Sequence, residues 1–359
     1  MAYLDLTVLN DFQAREAVNE KLNANYGMID LAQASGQSID YIPPSVMALL
    51  ATISASRGVK IPALKDQTVV VGVTPGFANI PANIAESATF GYTAVDVFSG
   101  FRFYPASFEN NQMDAAWYRD QVLRNVLKAM AVTIDDLIEV VLEARKSQVC
   151  NYVAQVSQGA GAFTFDGGTH IVSVAKAAVN EVMFYNLLNL QQANQVGGQY
   201  RIVTSPGGLV SAEAQYRMHG PANDKNVQWD QTIIPPDRRF VSDQLTAASD
   251  VFNGFFVRDG EVGLIENFPF DFRQGTVIAG KAWSITDVAL PYTKMRANIF
   301  INTEATDATA MITPTTDTNL TMTTFEEMAI WHRFFIPYRY NSALATFPTG
   351  ILKISGKTT

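Results

Sequence analysis

The sequence has almost no cysteine. Cys150 is the only one in 359 residues, so the chain can form neither an internal disulfide nor a cysteine-based zinc site. Residues 1–30 lack the basic start and apolar run of a signal peptide, and no stretch approaches the roughly 18 uncharged apolar residues of a membrane span. These absences predict a protein that is made and folded in the cytosol and makes no contact with a membrane.

Charged residues are also scarce. They make up 17% of the chain, while hydrophobic residues make up 48% and aromatic residues 11%. The centres of protein interfaces are poor in charge and rich in aromatics in the same way, although a surface covered by Asn, Gln, Ser and Thr explains these totals equally well. The net charge is −8, whereas proteins that bind DNA through its phosphates carry an excess of Lys and Arg. We therefore expect any contact with DNA to be weak and without sequence specificity.

The sequence lacks any motif that is typical of a catalytic or metal site. His170, His219 and His332 are far apart and show no ligand spacing such as HExxH, so each is interpreted as a structural histidine. Asp135 and Asp136 are interpreted as part of the first turn of a helix, where carboxylates interact favourably with the helix dipole.

The glycine-rich segments do not match the known phosphate-binding patterns either. Ser157–Gly161 and Asp166–Gly168 are not followed by Gly-Lys-Ser/Thr and contain no GxGxxG, which favours a flexible joint. Ser205–Gly208 lacks the Gly-x-Ser-x-Gly elbow, and Cys150 has no histidine near it in sequence, which favours a buried thiol. We predict no catalytic, cofactor-binding or metal-binding residues, no cofactor and no enzymatic activity.

The first part of the chain combines broken helices with a β-rich segment. Residues 1–60 are helical in pattern up to the break at Pro43-Pro44, after which Ser45 begins a short helix; this arm has too little apolar surface to fold alone, so we expect it to lie against something else, such as a neighbouring subunit. In residues 61–110 the pattern predicts a long β-hairpin arm with few charges in its loop. The strands expected there are Thr68–Val73, Thr93–Phe98 and Gly100–Pro105.

The strongest helical pattern lies between Asn111 and Gln148, which contains no Gly or Pro. An apolar stripe recurs there every three or four residues, as one face of a helix requires, and consists of Leu123, Leu127, Met130, Ile134, Leu137 and Val141. Thr133 and Asp136 resemble a capping box, so a break near Ala131 stays open. A continuous helix of about 37 residues forms a rod of roughly 55 Å.

The remainder of the chain alternates between helical and strand patterns. The expected helices span about Val174–Asn194, ending at Gly197-Gly198, and about Leu209–Met218. The expected strands are Tyr200–Thr204, Ile299–Ile301 and short strands within Ile330–Ile354. Asp259-Gly260, between Phe255–Arg258 and Glu261–Ile265, predicts a β-hairpin turn. The Thr-rich segment Thr303–Thr324 is expected to be a surface excursion.

The order of these elements resembles that of the major capsid proteins of tailed bacteriophages, an α+β fold shared with encapsulin nanocompartments. The resemblance covers nearly the whole chain and rests on element order, because this family has no short diagnostic motif. It implies an N-terminal arm, an extended β-hairpin loop that overlaps the next subunit, a peripheral domain with a long spine helix, and an axial α/β domain around the five- and six-fold axes. The corresponding residues would be 1–60, 61–110, 111–168 with 326–359, and 169–325.

The resemblance also implies a function. Such a protein self-assembles into pentamers and hexamers of an icosahedral phage head that encloses double-stranded DNA, so it would be assembled in the bacterial host cytoplasm and located in the virion. Besides copies of itself, its expected partners are a scaffolding protein, a portal and decoration proteins. Some members carry a long N-terminal scaffolding segment that is cleaved; since only residues 1–60 precede the hairpin here, we expect a separate scaffold or a chain that is never cut.

Three alternatives stay open. An encapsulin-like nanocompartment shell would share the fold and lack phage assembly partners. A tail-tube subunit would be mostly β and would not need a helix as long as residues 111–148. An α+β enzyme or ligand-binding protein would require a deep pocket with converging polar groups.

Overall fold

A computed structural model gives the structure of the chain. The residues that it describes are 4, 6–23, 25–52, 59–64, 87–104, 114–147, 163–175, 183–194, 196–208, 236–245, 252–267, 273–278, 281–306, 324–339 and 348–356. Among these residues, no helix combines the length and the apolar character that a membrane crossing would need.

The described residues form helices and strands in an α+β arrangement. The helices are α1 (Leu6–Asn23), α2 (Gly27–Gly36), α3 (Pro44–Thr52), α4 (Ala115–Arg145) and α5 (Met183–Ala193). The first nine strands are β1 (Val59–Leu64), β2 (Ser87–Tyr92), β3 (Val95–Phe103), β4 (Phe163–Asp166), β5 (Ile171–Val174), β6 (Tyr200–Thr204), β7 (Arg239–Val241), β8 (Phe252–Arg258) and β9 (Ile265–Glu266). The last five are β10 (Arg273–Ile278), β11 (Lys281–Ala289), β12 (Arg296–Thr306), β13 (Thr324–Phe335) and β14 (Ile351–Gly356).

The strands pair into two six-stranded sheets and one separate hairpin. Sheet A has the order β10-β11-β12-β13-β3, and β9 also pairs with β13. Sheet B has the order β4-β5-β14-β8-β6-β7. The hairpin consists of β1 and β2, which are antiparallel, with Val59 opposite Tyr92 and Leu64 opposite Ser87. The hairpin therefore stands apart from both sheets within the described structure.

α4 is one continuous helix of 31 residues. The Asp114 side chain accepts from Ala116 N at 2.9 Å and caps its first turn. There is no break at Ala131: Thr133, instead of capping a new helix, donates its hydroxyl to the Ala129 carbonyl at 3.0 Å, a bond common inside helices. At the other end, the buried Thr349 hydroxyl donates to the Arg145 carbonyl at 3.1 Å. Capping at both ends thus defines the helix.

Sheet B lies between two cores. Phe255 and Val257 of β8 join the main core, which contains the buried stripe of α4 and the inner face of sheet A. Phe252 and Phe256 point the other way, into a second core beneath α5. Because successive strand residues face opposite sides, an almost wholly apolar strand such as β8 suits this position.

The N-terminal arm packs against its own chain, which differs from the expectation of a neighbouring subunit. Leu9 and Phe12 of α1 are completely or almost completely buried in the main core, together with Leu4. The Leu4 amide also donates to Glu326 of β13 at 2.6 Å. These side chains belong to the same core cluster as the buried residues of α4 and sheet A, so the arm is part of the main core.

The segment 61–110, expected to form a hairpin, contains most of an antiparallel pair whose strands differ from the expected ones. The pairing partners are β1 and β2, and the third segment, β3, pairs instead with β13 in sheet A, with Phe98 opposite Trp331. The predicted strand Thr68–Val73 lies outside the described residues. β3 joins the sheet because Val97 and Phe103, on one face of the strand, are buried in the main core.

The predicted hairpin around Asp259-Gly260 is wrong. The turn is present, and Gly260 has the positive φ of 82° that it requires. β8, however, pairs with β6 and β14, while the segment after the turn crosses to sheet A, where Ile265 pairs with Phe335. The crossing is held by α2, whose Ser35 hydroxyl accepts from the Gly260 amide at 3.0 Å.

Two segments belong to sheets that also contain strands from distant parts of the chain. β10, β11 and β12, which lie within the segment 169–325, belong to sheet A, where β13 separates β12 from β3. Residues 351–356, expected with 111–168, form β14 in the middle of sheet B, between β5 and β8. The reason is burial: Leu352 and Ile354 fill the core beneath α5, whereas Ile299 and Ile301 fill the core against α4.

Several smaller predictions can be compared directly. The strand Tyr200–Thr204 is confirmed as β6, and Ile299–Ile301 lies within β12. The helix predicted from Val174 begins later, because Val174 ends β5 and α5 begins at Met183. The predicted helix 209–218 and most of the Thr-rich segment lie outside the described residues.

Candidate assembly surface

Most charged side chains of α4 contact other elements of the same chain. Arg124 Nε donates to Glu16 Oε2 of α1 at 2.8 Å, and the Tyr292 hydroxyl donates to the same carboxylate at 2.5 Å. The hydrogen bond to Glu16 raises the pKa of Arg124, and burial raises that of Tyr292. Lys128 Nζ lies 5.3 Å from the centre of the Tyr292 ring. These charges hold the arm and the β11–β12 turn onto the helix.

The same pattern continues near the C-terminal end of α4. Glu143 forms ion pairs with Lys146 and with Lys353 of β14. The Arg145 guanidinium lies 4.1 Å from the centre of the Tyr338 ring and also donates to its hydroxyl. Burial lowers the pKa of both lysines, as expected when an ammonium is moved out of water.

The exposed face of α4 is nearly uncharged as a result. Within α4, every residue of which is described, one exposed stripe runs the length of the helix, and we call it the α4 stripe. It consists of Tyr118, Asn125, Ala129, Thr133, Asp136, Val140 and Ala144. Asp136 is its one charged member. From Tyr118 to Ala144 the stripe rises about 39 Å, at about 1.5 Å per residue, and Val140 is 63% exposed. Surface helices usually present charged residues on this side.

A groove lies at the end of the α4 stripe, beside the base of the hairpin. Its volume is about 280 Å³. One wall is the hairpin base and the start of β3, and the other is the last two turns of α4 with the segment after β13. The lining residues are Gly91, Tyr92, Thr93, Val95, Val140, Val141, Ala144, Arg145, Ile336 and Tyr338.

Tyr92 and Tyr338 lie on the two walls of this groove and contact each other. The Tyr92 hydroxyl donates to the Tyr338 carbonyl at 2.9 Å, and the two rings meet edge to face, with centres 5.8 Å apart. Burial, and to a lesser degree Tyr338, raises the pKa of Tyr92, so it is a neutral hydrogen-bond donor at physiological pH. The hydrogen bond and the ring contact hold both tyrosines in place, so this part of the mainly apolar groove has a defined shape.

The residues considered as candidate sites in the sequence lie apart from one another. His332 is completely buried in β13, where its Nδ1 lies 3.1 Å from the Arg296 carbonyl. Burial lowers its pKa to about 4, so it is neutral and structural, as predicted. His170 lies in the turn between β4 and β5, beside the Phe165 ring. His219 and Cys150 lie outside the described residues, as does segment 157–161.

The glycine-containing turns have structural roles. Asp166 accepts from the Gly168 amide at 2.9 Å and from the Thr169 hydroxyl at 2.7 Å, which closes the β4–β5 turn. In the turn after β6, the Gly208 amide donates to the Ser205 carbonyl at 3.0 Å, and a Cβ at Gly208 would come within 2.7 Å of the Phe252 ring. Close packing, and not ligand binding, explains this glycine.

Asp135 does not lie in the first turn of a helix, which corrects the prediction. It lies in the middle of α4, is completely buried, and caps the N-terminus of another helix, α2. The Met28 and Ile29 amides donate to its Oδ1 at 2.9 and 3.1 Å. Across the part of the chain that the structure describes, no three His, Cys, Asp or Glu side chains come together as metal ligands.

The α4 stripe was missed by the sequence analysis, although its signal is present in the sequence. The apolar stripe identifies the inner face of the helix. The residues of the outer face, which recur every three or four positions, can then be identified from the sequence. At those positions the sequence has Asn, Ala, Thr, Val and Ala where Lys or Glu would be usual.

Solved structures of phage proteins are similar to this chain. The capsid of Ralstonia phage GP4 is 11% identical, with a TM-score of 0.44, and the match covers 91% of this chain and 92% of that one. The capsid structure of the cyanophage P-SCSP1u is 11% identical, with a TM-score of 0.44 and 86% of each chain covered. A chain of Mycobacterium phage Che8 is 10% identical, with a TM-score of 0.44, covering 88% and 91%. No family model and no curated protein matches the sequence.

Proposed function

We propose that this chain is a shell subunit, the major capsid protein of a tailed phage, which assembles through contact between the α4 stripe of one copy and the hairpin of the next. The observation that carries the proposal is the nearly uncharged exposed face of a helix whose other charges are bound internally. Burying such a face costs little desolvation, because few charged groups must leave water. Its role is structural, without catalysis.

The hairpin has the complementary composition. From Gln67 to Ala85, between β1 and β2, the sequence contains no charged residue and includes Val69–Val73 and Phe77. Uncharged surfaces that meet each other form the core of an interface, with charged groups excluded to the rim. The segment between the two strands of one copy is therefore the occupant of the α4 stripe and groove of another.

The contact is heterologous, because the two surfaces that meet are different. Such a head-to-tail contact cannot close between two copies; it continues to a third, and produces a ring where the rotation closes. Rings of five and six copies are the closed forms that an icosahedral shell needs. A subunit that had to meet both would need to adapt at the hairpin.

The two sheets suggest how the peripheral and axial roles are divided between the parts of the chain. In this proposal sheet A, α1 and α4 form the peripheral domain, and sheet B with α5 forms the axial domain around the symmetry axes. The closed shell encloses double-stranded DNA, and the net charge of −8 keeps its lining from binding the phosphates tightly. A scaffolding protein, a portal and decoration proteins are the further partners, and the assembled protein is located in the virion after assembly in the host cytoplasm.

The test places a charge on the α4 stripe. Ala129→Lys adds an ammonium in the middle of the stripe, and Ala14→Lys makes the same change at an exposed alanine of α1. Negative-stain electron microscopy of each purified variant, alone and with a co-expressed scaffold candidate, counts closed particles and rings. We expect Ala129→Lys to reduce particle yield by at least about tenfold, since burying an unpaired charge costs more than 1.4 kcal/mol.

The control should assemble like the original chain. If Ala129→Lys and Ala14→Lys gave equal numbers of normal particles, the α4 stripe would not be the contact surface. If the unaltered chain remained a uniform monomer under both conditions, the shell function itself would be wrong.

A further inference from the structure

Three elements meet at the side chain of Asp135. It projects from the middle of α4, binds the first turn of α2 through two backbone amides, and accepts a hydrogen bond from the hydroxyl of Ser242, the residue after β7. The three elements come from parts of the chain that are 106 and 107 residues apart. This one carboxyl group therefore joins the N-terminal arm, the long helix and the edge of sheet B.

α2 depends on this distant carboxyl for its cap. Its own N-cap residue, Tyr26, makes no side-chain capping bond. There is no space for another side chain at the helix start, because a Cβ on Gly27 would lie 2.5 Å from the Val241 carbonyl oxygen. The contact of Gly27 with β7 and the cap from Asp135 thus fix the same end of α2 from two sides.

Within the described parts of the chain, none of the groups that shift the pKa of Asp135 is a basic side chain. Arg239, on β7, makes an interaction of its own. The nearest charge on α4 is that of Asp136, which disfavours a second negative charge. On α2, Asp30 is bound by Lys294 at 2.7 Å. Burial is the dominant effect: it raises the pKa of Asp135 to about 6, although the hydrogen bonds from Ser242 and from the α2 backbone oppose the shift.

The geometry accommodates both protonation states. When Asp135 is ionised, the Ser242 hydroxyl donates to it, and the Ser242 oxygen accepts from the Gln244 amide at 3.2 Å. When Asp135 is protonated, its hydroxyl can donate to the same oxygen while its other oxygen keeps both α2 amides. The remaining acid beside this loop, Asp243, lies 3.3 Å from the side-chain amide of Asn25.

We propose that Asp135 is a pH-sensitive group at the junction of α4, α2 and the end of β7, and that its burial makes the folded subunit more stable when the carboxyl group is protonated than when it is ionised. The inference concerns the folded subunit, so it holds or fails independently of shell assembly.

The direction follows from proton linkage. The folded state binds the Asp135 proton more tightly than the unfolded chain, whose value is near 3.8. The resulting stabilisation is fully present below about pH 4 and is lost as the pH rises through about 6. A shift of about two pKa units corresponds to on the order of 100-fold in the folding equilibrium.

The test is urea unfolding of the purified subunit at a series of pH values from 4 to 8. Asp135→Asn keeps the shape and the acceptor for the α2 amides but cannot ionise. As the pH rises from 4 to 8, we expect the ratio of folded to unfolded protein to fall on the order of 100-fold more for the original chain than for Asp135→Asn. The matched control is Asp136→Asn, the exposed neighbour, which should leave most of this difference in place.

A second variant covers the case in which Asp135→Asn does not fold. Ser242→Ala removes the hydroxyl that favours the ionised carboxyl, so it should move the pH midpoint of the effect upwards. Hydrogen exchange at the Met28 and Ile29 amides reports the junction locally: their protection factors, which are corrected for the intrinsic pH dependence of exchange, should fall above pH 6 in the original chain and not in Asp135→Asn. A pH dependence that is the same in the original chain and in Asp135→Asn, or a Ser242→Ala midpoint that does not move, would overturn the proposal.

Discussion

The two long faces of α4 are built from opposite kinds of residue. The inner face is aliphatic and buried, with Leu127, Ile134, Ile138 and Leu142 at 0% exposure. The outer face is exposed and consists mainly of small or uncharged side chains. In an ordinary amphipathic helix the outer face is charged. Here Arg124, Glu143 and Lys128 are bound to α1, to β14 and to the β11–β12 turn, respectively.

The difference separates residues that fold the subunit from residues that are available to a partner. The inner face contributes to the stability of the isolated chain. The outer face contributes little to it, and an exposed, nearly uncharged stripe of about 39 Å has no benefit for a protein that stays alone in water. We therefore expect mutations on the inner face to lower the free energy of unfolding, and mutations on the outer face to lower assembly.

The largest effect on folding is expected on the inner face. Ile134→Ala creates a cavity in the main core and should lower the free energy of unfolding by about 2–5 kcal/mol. Val140→Ala, a matched truncation of a branched side chain on the outer face, should change it by less than about 0.5 kcal/mol. Urea unfolding of the two variants checks this. Equal losses would mean that the outer face is also part of the folded core.

The next effect concerns the inward-turned charges. Glu16→Gln leaves the Arg124 guanidinium without its carboxylate, and weakens the hydrogen bond from Tyr292. Because these are bonds to a charged group that is 2% exposed, the loss should be about 1–3 kcal/mol. The same unfolding experiment measures it. A loss as small as that of the exposed Asp136→Asn would show that α1 is not held by this cluster.

The smallest effect on folding, with a large effect on assembly, is expected at the groove. Val140→Asp should change the free energy of unfolding by less than about 0.5 kcal/mol, while particle yield falls by at least about tenfold, because the carboxylate would be buried unpaired. Val140→Thr, which keeps the shape without a charge, is the control and should still form particles. Particle counts by microscopy and unfolding curves are compared for both variants. If Val140→Asp assembled normally, the groove would not be part of the interface between copies.

The sequence predicts local structure well where apolar residues recur with a single helical period. Leu123, Leu127, Met130 and Ile134 identify α4 and its inner face because their spacing is local and uninterrupted. Beyond Ile134 the predicted stripe continues through Leu137 and Val141, whereas Ile138 and Leu142 are the fully buried pair. A helix has 3.6 residues per turn, so a seven-residue spacing drifts around it.

The sequence fails where a contact joins distant parts of the chain. Asp135 looks like a first-turn carboxylate when only its neighbours are considered, and its true partners are α2 and Ser242. The turn at Asp259-Gly260 is recognisable from the sequence. Whether the next segment pairs with β8 or with β13 depends on which strand edge is unoccupied, and β8 is already paired with β6 and β14. The candidate surface was within reach of the sequence, since it is the complement of the predicted apolar stripe.

Electron cryomicroscopy of assembled particles tests the central claim most directly, because it shows what covers the outer face of α4. The account predicts that the segment between β1 and β2 of a neighbouring copy lies along the α4 stripe and enters the groove beside Val140. Particles in which that stripe faces solvent, with the hairpin bound elsewhere, would contradict it.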